Sequence, residues 1–212
     1  VANWHYVFTP DYSDIEYAIL STIAFSTVVP ALVAMTAMTR SLIDQSASAV
    51  IVTSDRRRLP VVEISLGILM QAAVFIWPGG AFPLVWIAPF LIIDGSIGLV
   101  TTRSIVGRIF NGAFEEIVQI GTAGLACGIM WEFWNYWSMP KWEYTLPYLE
   151  VARVFEMPVL GYGGYIPFAL FVIQAVALAD VVWLRALRGP STSLRSRATC
   201  STASAAGPEK ST

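Results

Sequence analysis

The feature that most constrains this chain is a long apolar segment, residues 117–139, that contains one carboxylate, Glu132. About 20 apolar residues are enough for a helix to cross a bilayer. The segment runs into the aromatic stretch Trp131–Tyr144, and tryptophan and tyrosine collect where a membrane meets water. Because a charge inside a membrane costs about 3 kcal/mol or more, we expect another part of the protein to satisfy Glu132.

The composition predicts a membrane protein. Only 13% of the 212 residues are charged, 56% are hydrophobic, and the mean hydropathy is +0.62, whereas a soluble domain carries about 25% charged residues. The net charge is −2 and the 13 basic residues are scattered, which argues against a nucleic-acid partner. With one histidine, two cysteines and no metal-binding motif, the sequence predicts neither a metal nor another cofactor.

Hydrophobic runs predict an all-α bundle of five transmembrane spans in a domain covering residues 1–187. The predicted spans are 15–38, 61–77, 82–100, 117–139 and 164–184. Pro30 should kink the first span, and the Ser/Ala-rich tail 188–212 is predicted to be disordered. No methionine precedes Val1, so we expect the sequence to begin inside a longer chain.

The distribution of basic residues predicts the orientation. Eleven of the thirteen Lys and Arg residues fall on one side of the predicted spans, and only Lys141 and Arg153 fall on the other. Basic residues concentrate in cytoplasmic loops. This pattern places the C-terminal tail in the cytoplasm. It places Trp131–Tyr165 and His5 on the periplasmic side of the inner membrane.

A stripe of small and polar residues marks one face of the fourth span. Gly121, Gly124, Gly128, Glu132 and Asn135 follow spacings of 3, 4, 4 and 3 residues, which put them on one face of a helix. Glycines at such spacing allow another helix to approach closely. Glu132 should therefore point into the bundle. It is either a proton donor or polar anchor at a cavity, or a group bonded to a neighbouring helix that fixes packing.

An aromatic segment rich in proline follows this span and predicts a fixed cap over the outer end of the bundle. Three glycines among the tyrosines of residues 161–165 predict a special backbone turn. An interfacial aromatic belt is the alternative interpretation of these rings. The candidate binding residues are Trp131, Trp134, Tyr144, Tyr162, Tyr165, Glu156 and His5.

Acidic residues also occur toward the predicted cytoplasmic side. Asp94 lies deep in the third span, and together with Gln119 it is a candidate for a proton path. For Glu63, near the start of the second span, we expect a salt bridge with loop arginines.

The segments WEFWNYWSMPKWEYTLPY (131–148) and FEMPVLGYGGYIPFAL (155–170) resemble an uncharacterised family of bacterial polytopic membrane proteins. The resemblance implies a longer parent protein and no agreed activity. A fainter similarity is to membrane carotenoid hydratases and cyclases, which also combine an acid within the membrane with Tyr/Pro-rich outer motifs. The chain lacks the paired-acid Pro-x-Glu-Glu pattern of the cyclases.

Three functions remain open from the sequence. The first is a membrane-embedded enzyme or binding protein for an apolar lipid, such as an isoprenoid or carotenoid. There, Glu132 donates a proton or hydrogen bond, Asn135 orients it, and aromatic rings line the pocket. The second is a proton-coupled transporter or channel that uses Glu132, Asn135, Gln119 and Asp94. The third is a non-catalytic scaffold or assembly protein. The sequence does not predict the oligomeric state.

Overall fold

A computed structural model describes residues 4–8, 11–43, 58–101, 103–145 and 152–188. The elements in chain order are β1 (Trp4–Val7), α1 (Asp14–Ser26), α2 (Val28–Leu42), α3 (Arg58–Ile76), α4 (Pro78–Ala81), α5 (Leu84–Val100), α6 (Ile105–Phe110), α7 (Glu115–Trp137), β2 (Lys141–Tyr144), β3 (Arg153–Val154), β4 (Met157–Pro158), a 3₁₀ helix (Val159–Gly164) and α8 (Tyr165–Arg188). The chain divides into two compact units, Val1–Ala175 and Val176–Thr212. In the second unit, residues 176–188 are helical.

The all-α architecture of a multi-pass membrane protein is confirmed. In the described part of the chain, four helical segments are long and apolar enough to cross a membrane: Asp14–Leu42, Arg58–Ile76, Glu115–Trp137 and Val159–Arg185. The predicted span 82–100 corresponds to α5, an apolar helix of 17 residues. At 1.5 Å per residue α5 is about 26 Å long, slightly less than the apolar thickness of a bilayer. Most of the predicted tail, residues 189–212, lies outside the described part of the chain.

The first span is two helices, separated at Thr27. Pro30 is the third residue of α2, where its missing N–H is tolerated. A proline ring clashes with the carbonyl four residues earlier, which here belongs to Ser26, the last residue of α1. The predicted kink is therefore a break that lies just before the proline. Ser13 caps α1, and its side chain accepts a hydrogen bond from the backbone of Glu16.

Glycines bring α3 and α5 into backbone contact. A Cβ on Gly67 would lie 2.8 Å from the carbonyl oxygen of Ala88, and one on Gly95 would lie 2.7 Å from that of Pro60. Larger residues at these positions would force the helices apart. The short helix α4 connects the two and reverses the chain direction.

Polar contacts join the C-terminal end of α2 to the N-terminal end of α7, at one end of the bundle. Glu116 accepts from Arg40 at 3.0 Å and from Arg108 at 2.8 Å. Thr39 Oγ1 donates to the carbonyl of Gln119 at 2.9 Å. The end of α2, α6 and the start of α7 therefore lie together. The buried apolar core comprises Leu32, Phe90, Ile105, Ile120, Cys127, Ala169, Leu170 and Val172.

The opposite end carries a small β-structured cap. β1 pairs antiparallel with β2, with Tyr6 opposite Trp142 and His5 opposite Glu143. β3 pairs with β4. Lys141 joins these two sheets, because its ammonium group contacts Glu143 at 3.3 Å and Glu156 at 2.6 Å.

The pairing of β1 with β2 limits the number of times the chain can cross the bundle between these two strands. Residues 4–8 and the segment after α7 lie at the same end of the first unit because their strands are hydrogen-bonded. An even number of crossings must separate them. Among the described residues between them, α1–α2, α3 and α7 are each long enough to cross a membrane. If all three cross, α5 supplies the fourth crossing in spite of its length.

Candidate functional site

The carboxyl group of Glu132 is completely buried, and its two oxygens have different surroundings. Oε1 accepts hydrogen bonds from the hydroxyl of Tyr165 at 2.6 Å, the hydroxyl of Tyr144 at 2.7 Å and the indole Nε1 of Trp142 at 3.4 Å. Oε2 is also buried, and no donor or acceptor among the described residues reaches it. The expected burial of Glu132 beneath aromatic residues is therefore found.

This asymmetry determines where a proton would reside. A buried polar atom without a partner costs about 1–3 kcal/mol, and a protonated carboxyl group donates through one oxygen only. Because Oε1 already accepts three hydrogen bonds, the proton of a neutral Glu132 belongs on Oε2. That O–H group would have no acceptor among the described residues.

The glycine stripe of α7 explains how Tyr165 reaches Glu132. A Cβ on Gly124 would lie 2.5 Å from the carbonyl oxygen of Tyr165 and 2.6 Å from Cβ of Ala169. A Cβ on Gly128 would overlap the ring of Tyr165. The start of α8 therefore packs directly on the backbone of α7. The Tyr165 ring covers Gly128 and its hydroxyl reaches Glu132, one turn further along.

Asn135 positions the other two donors. Its Nδ2 donates to the carbonyl of Trp142 and its Oδ1 accepts from the amide N–H of Trp142, both at 2.8 Å. This pair of bonds fixes β2 against the end of α7. Trp142 and Tyr144 are two residues apart and so share one face of the strand, the face toward Glu132. The sequence predicts that Asn135 orients Glu132, whereas these bonds orient the strand that carries its donors.

Tyr144 is held as a neutral donor. Burial raises the pKa of its hydroxyl well above the ordinary tyrosine range. It therefore keeps its proton and continues to donate to Glu132 under physiological conditions.

The other candidate rings divide between two faces of α7. The ring centroid of Trp131 lies 6.0 Å from that of Tyr165, and that of Tyr162 lies 6.1 Å from it. Trp134 is 55% exposed. Since it follows Glu132 by two residues, about 200° around a helix, it points away from the tyrosines. Trp131 and Tyr162 thus border the Glu132 site, and Trp134 does not.

The remaining candidates lie in the cap. His5 is exposed and stands opposite Glu143 in the strand register. Glu143 alternates with Trp142 and Tyr144, so His5 lies on the other face of the sheet from the donors of Glu132. Glu156 accepts from Lys141. Both residues belong to the structure of the cap, and neither is among the described donors to the carboxyl group of Glu132.

An apolar groove of about 290 Å³ lies between α2 and α7. Trp131 lines this groove and also packs on Tyr165, so it forms the wall between the groove and the Glu132 site. The groove runs beside Glu132 and does not end at it. Its lining residues are Ala31, Ala34, Met35, Met38, Cys127, Met130, Trp131 and Trp134.

The residues of the predicted polar path, Asp94 and Gln119, are bonded to different partners and do not contact Glu132. The side chain of Gln119 donates to the carbonyl of Ile43, and Asp94 accepts from Ser104 and from the start of α6. Gln119 lies 13 residues before Glu132, about 20 Å along α7. The glycine face between them is covered by Tyr165, Ile166 and Ala169 of α8.

The fold and the site together define a multi-pass helical membrane protein with a buried carboxyl group beneath an aromatic cap. Comparison with protein-family models, curated proteins and solved structures finds no match. The resemblance to a family of bacterial membrane proteins therefore stays a prediction. In the described ranges, no group of three or more His, Cys, Asp or Glu residues is placed to hold a metal ion.

Proposed function

We propose that this protein is a membrane-embedded enzyme or binding protein for an apolar lipid of the isoprenoid class, with Glu132 as the acid. The observation that carries the proposal is the buried Oε2 of Glu132, which has no partner among the described residues. The other oxygen, Oε1, accepts the hydrogen bonds of all three donors. A packing residue would be expected to use both oxygens, because a half-satisfied carboxyl group destabilises a core.

The surroundings suit acid chemistry on a carbon–carbon double bond. Transfer of the Oε2 proton to one alkene carbon forms a C–H bond and leaves a carboxylate and a carbocation. The π face of an aromatic ring beside the substrate would stabilise the cation, and the rings of Trp131 and Tyr162 border the site. Return of a proton from an adjacent carbon to the carboxylate gives a shifted double bond and restores the acid without any co-reactant.

The groove between α2 and α7 supports the choice of an apolar lipid. Its lining is almost entirely alanine, methionine and tryptophan, which offers no partner to a charged ligand. A volume of about 290 Å³, just below the usual range for ligand pockets, accommodates part of a hydrocarbon chain. The chain of the lipid would lie here, with its reactive group passing Trp131 to reach Glu132.

We place the protein in a bacterial inner membrane with the cap on the periplasmic side. The asymmetry of the basic residues supports this orientation. A lipid would then enter the groove from the membrane itself, and Glu132 would act near the outer leaflet.

The conservative variant Glu132→Gln tests the acid role. The carbonyl oxygen of glutamine can still accept from Trp142, Tyr144 and Tyr165, so the variant should fold and insert, but it has no acidic proton. Lipids that co-purify with wild type and variant are compared by mass spectrometry. An enzyme predicts a bound isoprenoid that is converted in wild type and unconverted in E132Q. A binding protein predicts the same lipid in both.

A matched pair of groove variants tests where the lipid lies. Ala34→Phe fills the groove, whereas Ala37→Phe adds the same bulk at an exposed position of α2 that does not line it. Loss of the lipid in A34F but not in A37F supports the groove. Absence of any bound lipid from folded wild-type protein contradicts the proposal. Equal loss of inserted protein for Glu132→Gln and Glu132→Ala points to a scaffold instead.

A further inference from the structure

A second buried carboxyl site lies between α3, α5, α6 and α8, away from Glu132. Its best-satisfied member is Asp94, which is completely buried. Asp94 accepts from Ser104 Oγ at 2.8 Å and from the backbone N–H groups of Ile105 at 2.8 Å and Val106 at 3.0 Å. Gln174 Nε2 also donates to it. Four donors are the surroundings of an ionised carboxylate.

Glu63 lies beside Asp94 in very different surroundings. It is only 3% exposed, and the sequence-based expectation of a salt bridge with loop arginines is not met in the described residues. No hydrogen-bond donor among them reaches either of its oxygens. The close approach of α3 and α5 brings Glu63 to this position, because a Cβ on Gly95, the residue after Asp94, would lie 3.1 Å from the Cβ of Glu63.

Two ionised carboxylates cannot hydrogen-bond to each other, because both are acceptors only. In an interior of low dielectric constant their repulsion is also large. A proton on one of the two carboxyl groups supplies a hydrogen-bond donor and removes the charge repulsion. Asp94 already has four donors that favour its charged form. We propose that Glu63 and Asp94 form a binding site for a single proton, which Glu63 carries and donates to Asp94.

The charges on the surrounding elements do not supply a substitute for this proton. On α3 the other charged residue is Arg58, at the exposed N-terminus of the helix. On α6 Arg108 pairs with Glu116, and the exposed Arg103 precedes that helix. In residues 165–175 of α8 the one titratable side chain is Tyr165, which is bound to Glu132. On α5 the one titratable side chain is that of Asp94 itself.

Carbodiimide labelling tests the site, because dicyclohexylcarbodiimide enters apolar regions and reacts with protonated carboxyl groups. The full chain in proteoliposomes is labelled over a range of pH, and modified peptides are identified by mass spectrometry. Glu63 should be labelled at neutral pH, and Glu63→Gln should abolish the labelling of that peptide. Glu115→Gln, a change at a half-buried acid in the first turn of α7, should leave it unchanged.

Asp94→Asn tests whether the two residues act as a pair. Without the neighbouring negative charge Glu63 should lose its proton at lower pH, so the midpoint of labelling should move down by about 1 pH unit or more. If this variant does not fold, infrared spectroscopy of wild type provides the second measurement. The carbonyl stretch of a buried, protonated carboxyl group should be present at neutral pH and missing in E63Q.

Two results would overturn the inference. One is a folded wild-type protein in which Glu63 is neither labelled nor visible as a protonated carboxyl group at neutral pH. The other is labelling that sodium ions suppress at constant pH, which would identify the occupant as a metal cation. Since Glu63 and Glu132 lie in different peptides, the outcome is independent of the function proposed for Glu132.

Discussion

At the scale of single residues, the chemistry depends on the difference between the two oxygens of Glu132. The helical stripe on α7 was enough to predict that Glu132 and Asn135 face the bundle. It was not enough to predict their partners. The donors lie 10, 12 and 33 residues further along the chain. The position of these donors at Glu132 depends on the register of a four-residue strand and on the residue at which α8 begins. The periodicity of α7 encodes neither.

Trp142 illustrates what local sequence can and cannot reveal. Its alternation with Tyr144 in the segment KWEY is the pattern of a strand that presents two aromatic residues on one face. That pattern is too short to be distinguished from an interfacial belt. Pairing with β1 makes this segment a strand, and the bonds from Asn135 to the backbone of Trp142 fix the strand against α7. All of these are tertiary contacts.

Alkaline titration should reveal the buried hydroxyl of Tyr144. Burial raises the pKa of Tyr144 in the folded protein, whereas in the unfolded chain it titrates near pH 10. The absorbance change from tyrosinate formation up to about pH 11 should therefore be the same for folded wild type and folded Tyr144→Phe. The unfolded proteins are the control, and there Y144F should form one tyrosinate fewer.

The same shift predicts how stability depends on pH. A group with a raised folded-state pKa contributes fully below its unfolded pKa, and the contribution declines as the pH rises above it. The stability of wild type relative to Y144F should thus be constant below about pH 10 and should decrease above it. Equal pH profiles for the two proteins would show that Tyr144 ionises in the folded state.

At the scale of helices and strands, the packing of α8 on α7 is the contact that assembles the site. Gly128→Ala places a methyl group where the Tyr165 ring lies, so the ring must move and its bond to Glu132 should be lost. We expect destabilisation by about 1–3 kcal/mol from this overpacking, measured by thermal unfolding in detergent. Gly121→Ala is the matched control, because its new Cβ would meet Ile166 at 3.4 Å, an ordinary contact.

The two glycine variants separate packing from helix propensity. Alanine favours a helix over glycine by about 1 kcal/mol at either position, so that gain is common to both. G121A should be neutral or stabilising. Comparable destabilisation by the two substitutions would mean that α8 does not approach α7 at Gly128 as described.

The long helices could be predicted closely and the short elements could not. Twenty-residue apolar runs identify spans by their length alone, and the ends of α7 differ from the predicted 117–139 by two residues. The helix α6 has six residues and begins directly after Ser104, whose side chain caps it and also donates to Asp94. That stabilisation comes from another helix, so it cannot be recognised in the sequence between the predicted spans 82–100 and 117–139.

At the scale of the whole molecule, pairing of β1 with β2 requires that the start of α1 and the end of α7 share one side of the membrane. Single cysteines introduced after replacement of Cys127 and Cys200 test this. Asp11→Cys and Ser138→Cys should react with a membrane-impermeant maleimide from the same side, and Ser41→Cys from the opposite side. Reaction of the first two from different sides would contradict the strand pairing and the even number of crossings.

The break at Thr27 has a consequence for the response to bilayer thickness. Asp14–Leu42 has 29 residues, about 43 Å if it were one straight helix, against an apolar layer of about 30 Å. Such hydrophobic mismatch is relieved by tilting or kinking of the helix, and the break between α1 and α2 at Thr27 allows the two helices to change their angle. Thinner or thicker membranes should therefore change the angle at Thr27 and leave the contact of α7 with α8 undisturbed.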